Sequence, residues 1–99
     1  MESFAVRHVI AHSGMYEERI TLWEASSEDA AIAQAEAESA EYAKSVKGEC
    51  LGLFQSYRLA DPPGQGREVF SLIRSSNLPA EQYLDAFFST GSEHERADN

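Results

Sequence analysis

"FAVRHVIAHSGMYEERITLW", residues 4–23, alternates apolar and polar side chains on either side of a Ser-Gly dipeptide. Side chains of a β-strand point to opposite faces with period two, so Phe4, Val6, His8 and Ile10 share one face of a first strand. In the second half the matching set is Tyr16, Glu18, Ile20 and Leu22. The connecting "HSG" fits a three-residue hairpin loop, with Gly14 in the left-handed conformation that closes a bulge. That register sets Phe4 opposite Leu22, Val6 opposite Ile20 and Ile10 opposite Tyr16, which gathers the apolar residues on one side. A two-residue turn would mix apolar and charged residues on both faces, so the longer loop is expected. Trp23 then falls on the face opposite Leu22.

The segment that follows, "ASSEDAAIAQAEAESAEYAKSV", predicts a long helix. Ser26 and Asp29 form a capping box, and Glu28 and Asp29 suit the positive end of the helix dipole. Ile32, Ala35, Ser39, Tyr42 and Val46 lie on one stripe, whose small residues let the helix approach a sheet closely. Lys44 and Lys47 occupy the last turn and Gly48 ends it.

Two further runs, "ECLGLFQSYRL" and "REVFSLIRS", are rich in aromatic and branched residues and flank the turn-forming "ADPPGQG". They predict a second hairpin, apolar on both faces: Leu51, Leu53, Tyr57 and Leu59 oppose Phe54, and Val69 and Ile73 oppose Phe70 and Leu72. A sheet of that kind needs a cover on each side. The long helix covers one face. The segment "LPAEQYLDAFF", capped by Asn77, with Pro79 in its first turn and Gly91 just beyond its end, is expected to cover the other with Tyr83, Leu84, Phe87 and Phe88.

The element order is therefore ββαββα. It predicts one α+β domain over residues 1–91, with an antiparallel four-stranded sheet, a long N-terminal helix and a short C-terminal helix. A disordered acidic tail, residues 92–99, is expected after it.

Composition bounds the function classes. The 99 residues allow one modest core, and 42% hydrophobic residues with five Phe, four Tyr and one Trp are typical of a folded chain. Seventeen acids against eight Lys and Arg leave a net charge of −9, with the bases scattered singly, so a nucleic-acid partner is not expected. A regular acidic surface mimicking phosphate is the sharper reading of that charge, and solubility the plainer one. No apolar run reaches the roughly 18 residues that span a bilayer, so no membrane partner is expected either. Glu2, with no basic stretch before an apolar run, reads against a secretory signal, and the lone Cys50 allows no internal disulfide. A cytoplasmic location is expected.

The candidate chemistry sits in the first hairpin. "HVIAH" resembles a zinc-chelating His pair only on a helix; on a strand His8 and His12 stand about 13 Å apart, too far for one ion bound at about 2 Å. No metal and no cofactor are expected. In the three-residue-loop register His8 faces Glu18, and with Tyr16 they make a candidate polar cluster in which a carboxylate favours the charged imidazole. No nucleophile, oxyanion donor or phosphate loop accompanies it: "PPGQG" lacks the Lys-Ser/Thr and the strand–loop–helix setting. The candidate interface residues are Trp23, Tyr83, Phe87 and Phe88, for a protein partner or for self-association as a homodimer.

"YEERITLWEASSEDAAIAQAEAESAEYA" and "YRLADPPGQGREVFSLIRSS" together resemble the bacterial family known as domain of unknown function 4288. The resemblance rests on Tyr16, Glu17 and Glu18 leading a strand, Ala25 and Ser27 before an acidic helix, and Glu68, Val69, Phe70 and Ser71 in the last strand. It implies a small cytoplasmic bacterial domain and carries no catalytic residue across. Two functions follow from the residues: a non-catalytic protein-interaction or regulatory module, which is favoured, and a small-ligand binder or minor enzyme using His8, Glu18 and Tyr16.

Overall fold

β1 (Glu2–His12) and β2 (Met15–Ala25) are joined by Ser13 and Gly14 alone. Both residues take positive φ, +54° and +74°, as a two-residue type I′ hairpin turn requires. The pairing therefore sets Phe4 opposite Trp23, Val6 opposite Thr21, His8 opposite Arg19 and Ile10 opposite Glu17. This corrects the three-residue loop by one residue. Because side chains alternate with period two, that single step turns every side chain of β2 to the other face. The face that carries Phe4, Val6, His8 and Ile10 receives Glu17, Arg19, Thr21 and Trp23, while Tyr16, Glu18, Ile20 and Leu22 point the other way.

The computed structural model describes residues 1–71, 73–89 and 91; the expected tail at 92–99 and Leu72 lie outside them. α1 (Glu28–Ser45) starts one residue later than the capping box implied, with the Ser27 hydroxyl accepting a bond from the Ala30 N–H at 3.1 Å. It buries Ala31, Ala35, Ser39 and Ala43, a row of small residues at four-residue spacing. Ile32, Tyr42 and Val46 from the predicted stripe flank that row, half-buried. Phe4, Val6, Ala25, Ala31 and Ala35 form the core, with Trp23, Ile32 and Phe54 packed around it.

The helix ends differently from expectation. Lys47, not Gly48, takes the left-handed conformation at φ +55°, and the Gly48 N–H donates back to the Ala43 carbonyl at 2.8 Å. Gly48 is needed for another reason: a Cβ there would meet the Ala11 carbonyl oxygen at 2.7 Å and the His12 Cβ at 2.8 Å. Here the chain passes tightly beneath β1 on its way into β3 (Glu49–Arg58).

β3 pairs antiparallel with the free edge of β1, giving a three-stranded sheet in the order β2-β1-β3. The outer strands run the same way and α1 crosses one face between them, which makes a split β-α-β unit. Between His8 and Ile10 the β3 strand bulges, offering residues 51–53 against Val9, with Gly52 in the middle. Since both counts are odd, Phe54 and Cys50 stay on the α1 side of the sheet.

The four-stranded sheet and the ββαββα order are overturned: among the described residues, those after 66 form no strand, and the order is ββαβα. Phe70 packs edge-on against Tyr57 at 5.0 Å between ring centres, and the Arg7 guanidinium lies 5.8 Å from its ring. Tyr57 and Arg7 both belong to the face away from α1. The return segment is therefore drawn over that face instead of beside the edge of β3. α2 (Ala80–Phe87) begins after Pro79 without a side-chain cap, so Asn77 does not cap it, and among the described residues it packs on none of the other elements. The face opposite α1 is not covered by it.

Gly48→Ala is expected to destabilise the fold by about 1–3 kcal/mol, because the atoms it meets are backbone and Cβ and cannot swing aside. Lys47→Gly should instead stabilise it by about 1 kcal/mol, by relieving the left-handed residue of its Cβ. Urea denaturation of both variants checks the pair, and a neutral Gly48→Ala would contradict the close passage.

Candidate functional site

Two parts of the molecule hold side chains that could act: the polar network between β2 and α1, and the sheet face that α1 leaves open. The network exists because the two-residue turn points Glu17 and Arg19 at the helix. On α1, Glu38 and Tyr42 lie four residues apart and so stand one above the other on the same side. The Arg19 guanidinium donates to both carboxylate oxygens of Glu38, at 3.0 and 2.9 Å. It also lies over the Tyr42 ring, 3.7 Å from its centre. The Tyr42 hydroxyl reaches the Glu17 carboxylate at 2.8 and 2.9 Å, and His12 Nε2 meets the same carboxylate at 2.9 Å.

His8 is the buried end of this network, with 1% of its surface exposed. Its ring stacks on Phe54 at 5.3 Å, and Arg19 Nη1 stands 3.3 Å from Nε2. A guanidinium can only donate, so Nε2 accepts and the proton of the neutral ring resides on Nδ1. Nδ1 has no hydrogen-bond partner among the described residues. Burial first, and then the Arg19 charge, push the His8 imidazole below its ordinary value. Hydrogen bonds from Tyr42 and then His12 hold the Glu17 carboxyl low, and the Glu17 carboxylate in turn pushes the Tyr42 phenol up. Arg19 is raised, chiefly by its bonds to Glu38. Apart from His8 Nδ1, the groups named are satisfied by one another, which is the chemistry of a clamp between helix and sheet.

His8, Glu18 and Tyr16 do not form a cluster. His8 lies beneath α1 opposite Arg19; Glu18 is on the open face opposite Val9, where it pairs with Arg7; Tyr16 is on that same face at the hairpin end, 76% exposed. Trp23 packs under α1 against the core, its indole N–H donating to the Thr21 hydroxyl at 2.8 Å. Tyr83, Phe87 and Phe88 lie on or next to α2, where Tyr83 and Phe87 touch each other at 5.1 Å between ring centres. Arg19, Glu38, Tyr42 and Glu17 were not expected as a group. Their signal was present as Glu17-x-Arg19 on one strand face and Glu38/Tyr42 at helical spacing, and only the turn length brings the two together.

On the open face Val9, Ile20, Leu22 and Leu53 surround the Arg7–Glu18 ion pair, with Leu51 beside them at the bulge. Leu53 is 67% exposed. Arg7, His8, Val9, Glu18, Leu53 and Gln55 line a shallow hollow of about 230 Å³. A second cleft, of about 350 Å³, separates Tyr57 and Arg58 from Glu68 and Phe70.

The lowered His8 pKa has a defined consequence for stability. The unfolded chain takes up a proton at the ordinary imidazole value and the folded chain resists it, so stability is full above that value and falls as the pH drops through it. Urea denaturation from about pH 7.5 down to about pH 5.5 should show this loss in the native chain and a much weaker one in His8→Leu. Equal losses in the two proteins would show that His8 stays accessible to protons in the fold.

No family model, no curated protein and no solved structure matches this chain.

Proposed function

We propose that this chain is a non-catalytic protein-interaction module, of a regulatory kind, whose working surface is the open face of its sheet. The observation that carries this reading is the group Ile20, Leu22, Leu51 and Leu53, left in solvent beside the half-buried Val9 and an ion pair that is neutral as a unit. Layered α+β folds bury both faces of such a sheet or present one of them to a partner. The polar network beneath α1 supports the same reading, because its groups are engaged in holding the helix. Membership of the domain of unknown function 4288 family and a place in the bacterial cytoplasm belong to this proposal, on the residues named for the resemblance. The reading as a ligand binder or minor enzyme loses its motivation, since the register parts His8 from Glu18 and Tyr16.

Site-specific photo-crosslinking in bacterial cells tests the surface. A benzophenone-bearing residue at Leu53 or Ile20 should give protein adducts in several-fold higher yield than one at Ala37, on the outer side of α1. Equal yields from the three positions would remove the open face as the working surface.

A further inference from the structure

α1 is held in two different ways along its length. Its first half lies on apolar side chains: Ala31 and Ala35 belong to the cluster with Phe4, Val6 and Ala25, and Trp23 and Ile32 pack around it. Its second half buries only the small Ser39 and Ala43 and is held by polar groups, Glu38 to Arg19 and Tyr42 to Glu17. His8 lies beneath the helix against Arg19, 1% exposed and stacked on Phe54. The groups around it leave a second ring proton without an acceptor. β2 faces it with Arg19 and Glu17, and α1 with Glu38 and Tyr42. β3 faces it with the uncharged Phe54, while Cys50 and Arg58 stand farther along, opposite Ile10 and Phe4. On β1 itself His12 is bonded to Glu17. Both oxygens of Glu38 are taken by Arg19 and both of Glu17 by Tyr42. His8 Nδ1 has no partner among the described residues, and Nε2 faces the Arg19 guanidinium at 3.3 Å.

We propose that His8 and Arg19 form a proton-operated latch on the second half of α1: a proton on His8 drives the guanidinium out, and residues 38–45 leave the sheet while residues 28–37 stay seated. A proton at Nε2 sets donor against donor and cation against cation at hydrogen-bond distance, so the two side chains cannot keep their places. His8 belongs to the central strand, paired on both sides, and cannot withdraw. Arg19 can, because β2 is an edge strand. When it goes, Glu38 loses both of its bonds and Tyr42 the cation over its ring. The about two turns of helix so released do not hold themselves in water and fray, whereas the first half keeps its apolar seat. The released form takes up the proton at the ordinary imidazole value and the latched form resists it. Release therefore grows as the pH falls through that value, by about tenfold between about pH 7.5 and pH 5.5.

Amide hydrogen exchange of the full chain, read residue by residue by NMR at those two pH values and corrected for the intrinsic rate at each, tests the latch. Amides 40–45 should exchange through an opening that low urea does not accelerate, and about tenfold more often at the lower pH. Amides 32–37 should be slower at both pH values and exchange only with the urea-dependent unfolding of the domain. The tenfold gain should vanish in His8→Leu, and also in Arg19→Met, where no guanidinium opposes the proton. It should persist in His12→Gln, which leaves the contact between His8 and Arg19 intact. Four results would overturn the latch: an opening of amides 40–45 equally frequent at both pH values, the two halves of α1 opening together at the lower pH, a gain kept in His8→Leu or Arg19→Met, or a gain lost in His12→Gln.

Discussion

Two residues of connection between β1 and β2 set the terms for the rest of the molecule. Ser13 and Gly14 both accept positive φ, the backbone twist of the tight turn matches that of the strands it joins, and the register follows without further choice. It puts Arg19 under α1, where Glu38 receives both arms of the guanidinium and Tyr42 receives its face. A guanidinium in that position must be paired, because an uncompensated charge against the core would cost more than the contact is worth. The helix is therefore held at one lateral position along β2, and the tight passage at Gly48 delivers the chain to the far edge of β1.

The core beneath the helix is thin. Its large members are Phe4, Val6 and Ile10 from the central strand, and α1 answers them with alanines and a serine. Small side chains let helix and sheet come close, but they offer little apolar area, so the polar network supplies alignment that packing alone would leave loose. His8 bears the cost of this arrangement. It is buried, stacked on Phe54, and neutral beside a fixed cation, with one ring nitrogen unpartnered. The same geometry that seats the helix pushes the His8 imidazole below its ordinary value, by burial first and then by the Arg19 charge.

What the clamp consumes on one face it leaves available on the other. With Glu17, Arg19 and Thr21 directed at α1, the apolar residues of β2 are turned outward beside Val9 and Leu53. The Phe70 contact on Tyr57 and Arg7 then stations the return segment over one end of that face and leaves the hairpin end bare. An apolar sheet face around an internally neutralised ion pair is the feature on which the proposed interaction surface rests.

Much of this was legible in the residues alone. The two strands and the helix after them follow from alternation, from the acids and serines that open α1 and from the basic end that closes it, all local properties of backbone and side chain. The inward set Phe4, Val6, His8 and Ile10 was readable because a central strand declares itself by apolar content. The facing of β2 was not. Placing its apolar residues inward assumed that burial decides register, whereas a Ser-Gly turn and a helix carrying Glu38 and Tyr42 make the polar side the buried one. Nor could the composition of residues 67–74 show that Phe70 would settle on an aromatic of the sheet face instead of letting its backbone join the edge of β3. Local patterning determines which segments become strand or helix; which side of each meets which neighbour depends on contacts between residues far apart in sequence, and these form only when the chain is folded.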